Sequence, residues 1–127
     1  ENQLEEIPSN FFAGLTEVED LDLQSNKISN LPTNLFKDLP LLKAIDFKDN
    51  NLTLLSKETF KFNKNLEHIN LSLNQLEKID AELFDGMENL RNVNLSGNKC
   101  TLKKYKSSKA KSNLTLIIKN VIIANCS

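Results

Sequence analysis

The chain has 127 residues, no tryptophan and a formal net charge of −1, a length and composition that fit one globular domain and exclude a disordered or fibrous chain. No apolar run reaches the 18 or more residues that would span a bilayer as a helix. The balanced total hides a segregation: residues 1–98 hold nine basic against 17 acidic residues, a net of −8, whereas residues 99–127 hold seven lysines and no acid, a net of +7.

The chain opens in mid-pattern. Asn2, Asn26, Asn50, Asn74 and Asn98 fall 24 residues apart, so Glu1 lies inside a repeat whose strand is missing. Leu4, Ile7, Phe12 and Leu15 would only partly cover the core beneath the first full strand. Natural proteins avoid open strand edges, and the sequence is therefore expected to be a piece of a longer chain with further repeats upstream. From Val18 the pattern is complete: Val18, Leu21, Leu23, Asn26, Ile28, Leu31, Phe36 and Leu39 recur as Leu42, Ile45, Phe47, Asn50, Leu52, Leu55 and Phe60. They recur again as Leu66, Ile69, Leu71, Asn74, Leu76, Ile79, Phe84 and Met87, and in part as Leu90, Val93, Leu95 and Asn98.

Self-similarity at a fixed period marks a solenoid, because one repeat cannot bury its own apolar face and must stack on its neighbours. The L-x-x-L-x-L stretch alternates with period 2 and predicts a short strand with one face buried. The asparagine after it offers two donors and an acceptor to backbone groups left unpaired at a bend, so Asn26, Asn50, Asn74 and Asn98 are expected to form a ladder between repeats. A phenylalanine at one recurrent position, Phe12, Phe36, Phe60 and Phe84, thickens the outer side and bends the stack, which puts the strands on the concave face. The expected fold is an α/β solenoid: a curved stack with a short parallel β-sheet on the concave face, an irregular or turn-rich convex side, and a disulfide-closed C-terminal cap. Residues 1–99 form the solenoid, with full repeats starting near 18, 42 and 66 and a partial one from 90, and residues 100–127 form the cap.

Over residues 2 to 100 this pattern resembles the extracellular, 24-residue class of leucine-rich repeat protein, as in Toll-type receptor ectodomains and secreted insect relatives. The resemblance implies recognition of a partner, with protein, glycan or lipid bound on the concave face or its flanks, and an innate-immune or adhesive role rather than catalysis. The concave positions expected to meet a protein partner are Glu19, Asp20, Asp22, Gln24, Lys43, Asp46, Lys48, Asp49, Glu67, His68, Leu73, Arg91 and Asn92. Leu73 is the candidate apolar anchor; the bland alternative is a leucine tucked over Ile69 or a neighbouring repeat. Asp22 and Asp46 would stand about 5 Å apart on adjacent strands, close enough for acid and nucleophile work or for calcium. Neither use has a supporting motif, and an open sheet excludes no water, so no catalytic residue, metal site or cofactor is expected; a solvated acidic face partly balanced by Lys43 and Lys48 is the alternative. His68 is the single histidine and cannot assemble a zinc site once the cysteines pair.

Cys100 and Cys126 bracket the segment after the last repeat and read as a disulfide that closes the cap in an oxidising compartment, with two free thiols as the alternative. Family caps usually hold more cysteines and a tryptophan, from which this chain departs. Acceptor motifs for N-glycosylation at Asn51, Asn70, Asn94, Asn113 and Asn125 agree with a secreted or cell-surface location. Ser, Lys and Ala between Lys103 and Ser112 suggest a mobile loop. Beyond it, Leu114, Ile117, Ile118, Val121 and Ile122 have helical spacing against a β-branched composition that favours strand, so a short helix or an irregular apolar segment is expected over the open end of the core. The lysines of this tail are either a solvated cap or a contact for an anionic glycan or membrane surface. Nucleic acid is not expected as a partner, since Tyr105 is the tail's only aromatic and no reading element accompanies it. A structural or stabilising secreted glycoprotein without a concave-face ligand is the second functional reading.

Overall fold

A computed structural model describes residues 3–100, 104–106 and 114–126. Its elements run β1 (Asp20–Asp22), β2 (Ala44–Asp46), β3 (Leu54–Leu55), β4 (His68–Asn70), β5 (Lys78–Ile79), β6 (Asn92–Asn94), β7 (Lys104–Lys106) and α1 (Leu114–Asn125). Strands β1, β2, β4 and β6 pair in parallel, each offset from the last by one 24-residue repeat, so that Leu21, Ile45, Ile69 and Val93 lie side by side. Alternation does the sorting: Ile45, Ile69 and Val93 are buried and their strand neighbours face outward.

The asparagine ladder lies directly beneath this sheet. Asn50 Oδ1 accepts from Ile28 N at 3.1 Å, while its Nδ2 donates to Phe47 O at 3.0 Å within its own repeat and to Leu23 O at 2.9 Å in the preceding one. Asn74 repeats the arrangement with Leu52 N, Leu71 O and Phe47 O, and Asn98 with Leu76 N, Leu95 O and Leu71 O. Asn26 accepts from Leu4 N at 3.1 Å. Each amide thus satisfies backbone groups that the bend removes from the sheet.

The opposite side is built of successive turns at the same period, as in Leu35 N to Pro32 O, Thr59 N to Ser56 O and Leu83 N to Asp80 O. Phe36, Phe60 and Phe84 are buried there, and the ring centroids of Phe12–Phe36 and Phe36–Phe60 are 5.8 and 5.9 Å apart. Strands pack at about 4.8 Å, so the ring side is the wider and the sheet becomes the inner, concave surface. At the first repeat Ile7 and Phe12 are buried but Leu15 is half exposed.

Three features differ from the expectation. A second, two-stranded parallel sheet pairs β3 with β5, Leu54 opposite Lys78 and Leu55 opposite Ile79; the recurrent apolar position of Leu55 and Ile79 lies in it, but strands of two residues are too short to show the alternation that marks a strand. Lys104–Lys106, placed in a loop by its composition, is strand β7 and pairs antiparallel with β6, Tyr105 opposite Val93. It occupies the hydrogen-bonding groups that β6 would otherwise expose; Lys103 and residues 107–112 of that loop lie outside the described residues. Finally, the tail is helical, yet its buried line is Leu114, Ile118 and Ile122, with Val121 partly buried and Ile117 half exposed. The helix ends at a disulfide between Cys100 and Cys126, whose Cα atoms are 5.4 Å apart, and Cys126 O accepts from Ile79 N at 3.0 Å, joining cap to repeat.

Candidate partner-binding face

The in-register strands turn the 24-residue period into straight rows across the concave face. In the outermost row the charges alternate, and Lys43 Nζ pairs with Glu19 at 2.9 Å while Arg91 Nε approaches Glu67 at 3.8 Å. The bond to Glu19, then its charge, holds the Lys43 ammonium above the usual lysine range. The next row is Asp20, Ala44, His68 and Asn92, where Asn92 Nδ2 lies 2.6 Å from His68 Nδ1. Asp20, Asp22, Ala44, Asp46 and His68 line an open depression of about 280 Å³ on this face.

The row Asp22, Asp46, Asn70 and Asn94 has a different use. Asp22 Oδ1 accepts from Gln24 N at 3.1 Å and Asp46 Oδ1 from Lys48 N at 2.9 Å. Asn70 and Asn94 accept from the backbone N of Ser72 and Ser96 at 3.1 Å and from their hydroxyls at 2.7 Å. Every member of the row therefore holds the chain as it leaves its strand. Gln24 Nε2, also 3.0 Å from Asp22 Oδ2, followed by Gln24 N, keeps the Asp22 carboxyl below its ordinary value. Among the described residues no group of three or more His, Cys, Asp or Glu is arranged to hold a metal ion.

The inner rim is the row Ser25, Asp49, Leu73 and Gly97, all with left-handed backbone, φ from 56° to 70°. Gly and, less readily, Asp tolerate this conformation; a leucine is strained in it by about 1–2 kcal/mol. Leu73 is half exposed, and its Cδ2 would stand 2.6 Å from a Cβ added at Gly97. The side chain thus lies over the next repeat's glycine, the neighbouring-repeat alternative, rather than over Ile69. Gln24 and Lys48 are exposed between these rows, and Asp49 is exposed on the rim. Of the glycosylation motifs, Asn51 and Asn125 are exposed and Asn70 and Asn94 half-buried on the concave face, while Asn113 lies outside the described residues.

The sequence profile of the leucine rich repeat family matches residues 1–52 and 42–99. The chain belongs to the leucine-rich repeat family. Comparison with curated protein sequences finds no match. Among solved structures, the leucine-rich repeat domain of APL1 is similar at 32% identity over 76% of this chain and 25% of that one, with a TM-score of 0.73. TLR13, solved in complex with ssRNA13, is similar at 32% identity over 76% of this chain and 14% of its own, TM-score 0.72. Toll, solved with Spatzle and described as a hub in Drosophila development and innate immunity, is similar at 30% identity over 72% and 12%, TM-score 0.66. This leucine-rich repeat chain therefore spans a quarter or less of the length of these three relatives. Among its described residues no helix is long and apolar enough to cross a membrane.

Proposed function

We propose that the chain is an extracellular recognition module that binds a protein through its concave sheet face, in innate immunity or cell adhesion. The observation that carries this reading is the register: Asp20, Ala44, His68 and Asn92, with the rows on either side, form one continuous outward surface held by a rigid core. Glu19, Asp20, Lys43, Lys48, Asp49, Glu67, His68, Leu73, Arg91 and Asn92 are the contact residues in this proposal, with residues 1–99 as the binding solenoid and 100–127 as its cap. The likeness to Toll, solved with Spatzle, favours a protein partner. The likeness to TLR13, solved with ssRNA13, raises RNA instead, but this face sets six carboxylates (Glu19, Asp20, Asp22, Asp46, Asp49, Glu67) against three cations (Lys43, Lys48, Arg91), and phosphate backbones are bound by the opposite balance. The disulfide supports an oxidising compartment.

A scaffold without a concave-face ligand is the second reading, favoured by the use of Asp22, Asp46, Asn70 and Asn94 to hold backbone. Capture from extracellular fluid onto immobilised protein separates the two. Recognition requires saturable capture of a protein that Asp20→Lys with His68→Glu weakens about tenfold or more, a typical effect of altering central contacts, with the thermal midpoint unchanged. Capture indifferent to both substitutions, or none, leaves the scaffold.

A further inference from the structure

We infer that His68 and Asn92 form a proton-driven switch on the concave face, which exchanges an outward carbonyl oxygen for an outward amino group and so releases the partner in acid. The inference rests on this face being the recognition surface. Register brings the pair together: β4 and β6 run in parallel with His68 opposite Asn92, and Asn92 Nδ2 lies 2.6 Å from His68 Nδ1. An amide nitrogen only donates, so Nδ1 is the acceptor and the proton of the neutral ring sits on Nε2. Among the described residues neither side chain makes another hydrogen bond. The groups left for a partner are therefore the Nε2–H donor and Asn92 Oδ1, an acceptor.

A proton added at Nδ1 sets a donor against a donor. Turning the ring does not help, because both nitrogens of the imidazolium carry hydrogen. A half-turn of the Asn92 amide does: Oδ1 then accepts from Nδ1–H in a charge-assisted bond, stronger than the one it replaces. The backbone need not follow, since Asn92 N stays on Glu67 O at 3.0 Å. The new charge enters a depression that Asp20, Asp22 and Asp46 line together with His68. Of the neighbouring cations, Lys43 is held by Glu19 at 2.9 Å and Arg91 stands 3.8 Å from Glu67, the residue before His68. A partner fitted to the neutral face loses its bond to Asn92 Oδ1 and meets an imidazolium instead. His68 is the chain's single histidine, and histidine is the side chain whose ordinary charge change falls between about pH 5 and 8. An extracellular module meets that range wherever the fluid around it turns acidic.

Nitrogen NMR of the chain at about pH 8 should show a His68 ring protonated at Nε2 and bare at Nδ1. As the pH falls from about 8 to about 5, the Asn92 side-chain amide signals should move with the midpoint of the ring, and in His68→Gln they should stand still. Capture of a protein from extracellular fluid should be about tenfold weaker at the acid end than at the neutral end, the size of one lost hydrogen bond, with the circular dichroism of the chain unchanged. An Nδ1–H tautomer at neutral pH, or Asn92 signals indifferent to the ring, overturns the proposal. Capture that is equal at both ends while the amide turns overturns its part in recognition. A chain that captures nothing overturns the recognition reading instead, because the NMR outcomes are read on the chain alone.

Discussion

At the residue scale, two buried asparagines make opposite predictions. Asn50 is 3% exposed and closes bonds to Ile28 N, Leu23 O and Phe47 O, so Asn50→Ala should cost about 2–4 kcal/mol in urea denaturation, the toll of backbone groups left unpaired. Asn63 is 1% exposed in a row that elsewhere holds Leu15, Leu39 and Met87, and its Oδ1 is buried without a partner. Its Nδ2 donates to Phe36 O and Leu39 O, but those carbonyls keep the backbone donors Leu39 N and Leu42 N at 3.1 and 3.3 Å. Asn63→Leu should therefore raise stability by about 1 kcal/mol, seen as a higher thermal midpoint; a lower one would mean that the two donations outweigh the orphaned oxygen. Asp22 supplies a pH test. Its folded pKa lies below the ordinary 3.8, so its stabilising effect is present above that value and is lost as pH falls through the depressed one. In a carboxyl-carbon NMR titration, Gln24→Ala should move Asp22 upward, because the amide of Gln24 is the largest cause of the depression.

Among the elements, the cap depends on one covalent link. The Cys100–Cys126 bond closes a loop with a sequence separation of 26, and Cys126→Ser should lower stability by about 3–4 kcal/mol under the chain-entropy account, measured as the difference between parent and variant in oxidising buffer. Strands β1, β2, β4 and β6 and the asparagine ladder were legible in the sequence because each depends on side-chain type at a fixed interval. Strands β3, β5 and β7 were not: β3 and β5 are two residues each, too short for alternation to mark the recurrent Leu55 and Ile79 as strand, and Lys104–Lys106 offers a single apolar side chain. A helix was one of two readings of the tail, and the expected buried line differs from the structure at one position: the spacing admitted Ile117, whereas Leu114, Ile118 and Ile122 face inward, in line with the anchor at Cys126 four residues beyond Ile122. On the candidate face, the backbone-holding role of Asp22 and Asp46 was available in principle. A row restricted to Asp and Asn points to backbone bonding, and Asn70 and Asn94 completed it.

For the whole molecule, the repeat is the unit of permissible change. Deleting residues 43–66 removes 24 residues, joins Leu42 to Glu67 and lets Asn74 take the place of Asn50 against Ile28 N and Leu23 O. That shortened chain should fold with the parent's circular dichroism and a lower denaturation midpoint, as expected of a stack held by nearest-neighbour contacts. A deletion one residue shorter shifts the pairing and turns every inward side chain of the joined strand outward, and should yield an aggregating product. The unstaggered register has a further consequence for how such a protein diverges. Residues 20, 44, 68 and 92 meet the outside, and residues 21, 45, 69 and 93, one position on, meet the core. On the proposed reading, what a partner would read and what keeps the chain folded are written in alternate letters of the same short words, so descendants of this sequence could change the outward row while inheriting their stability intact.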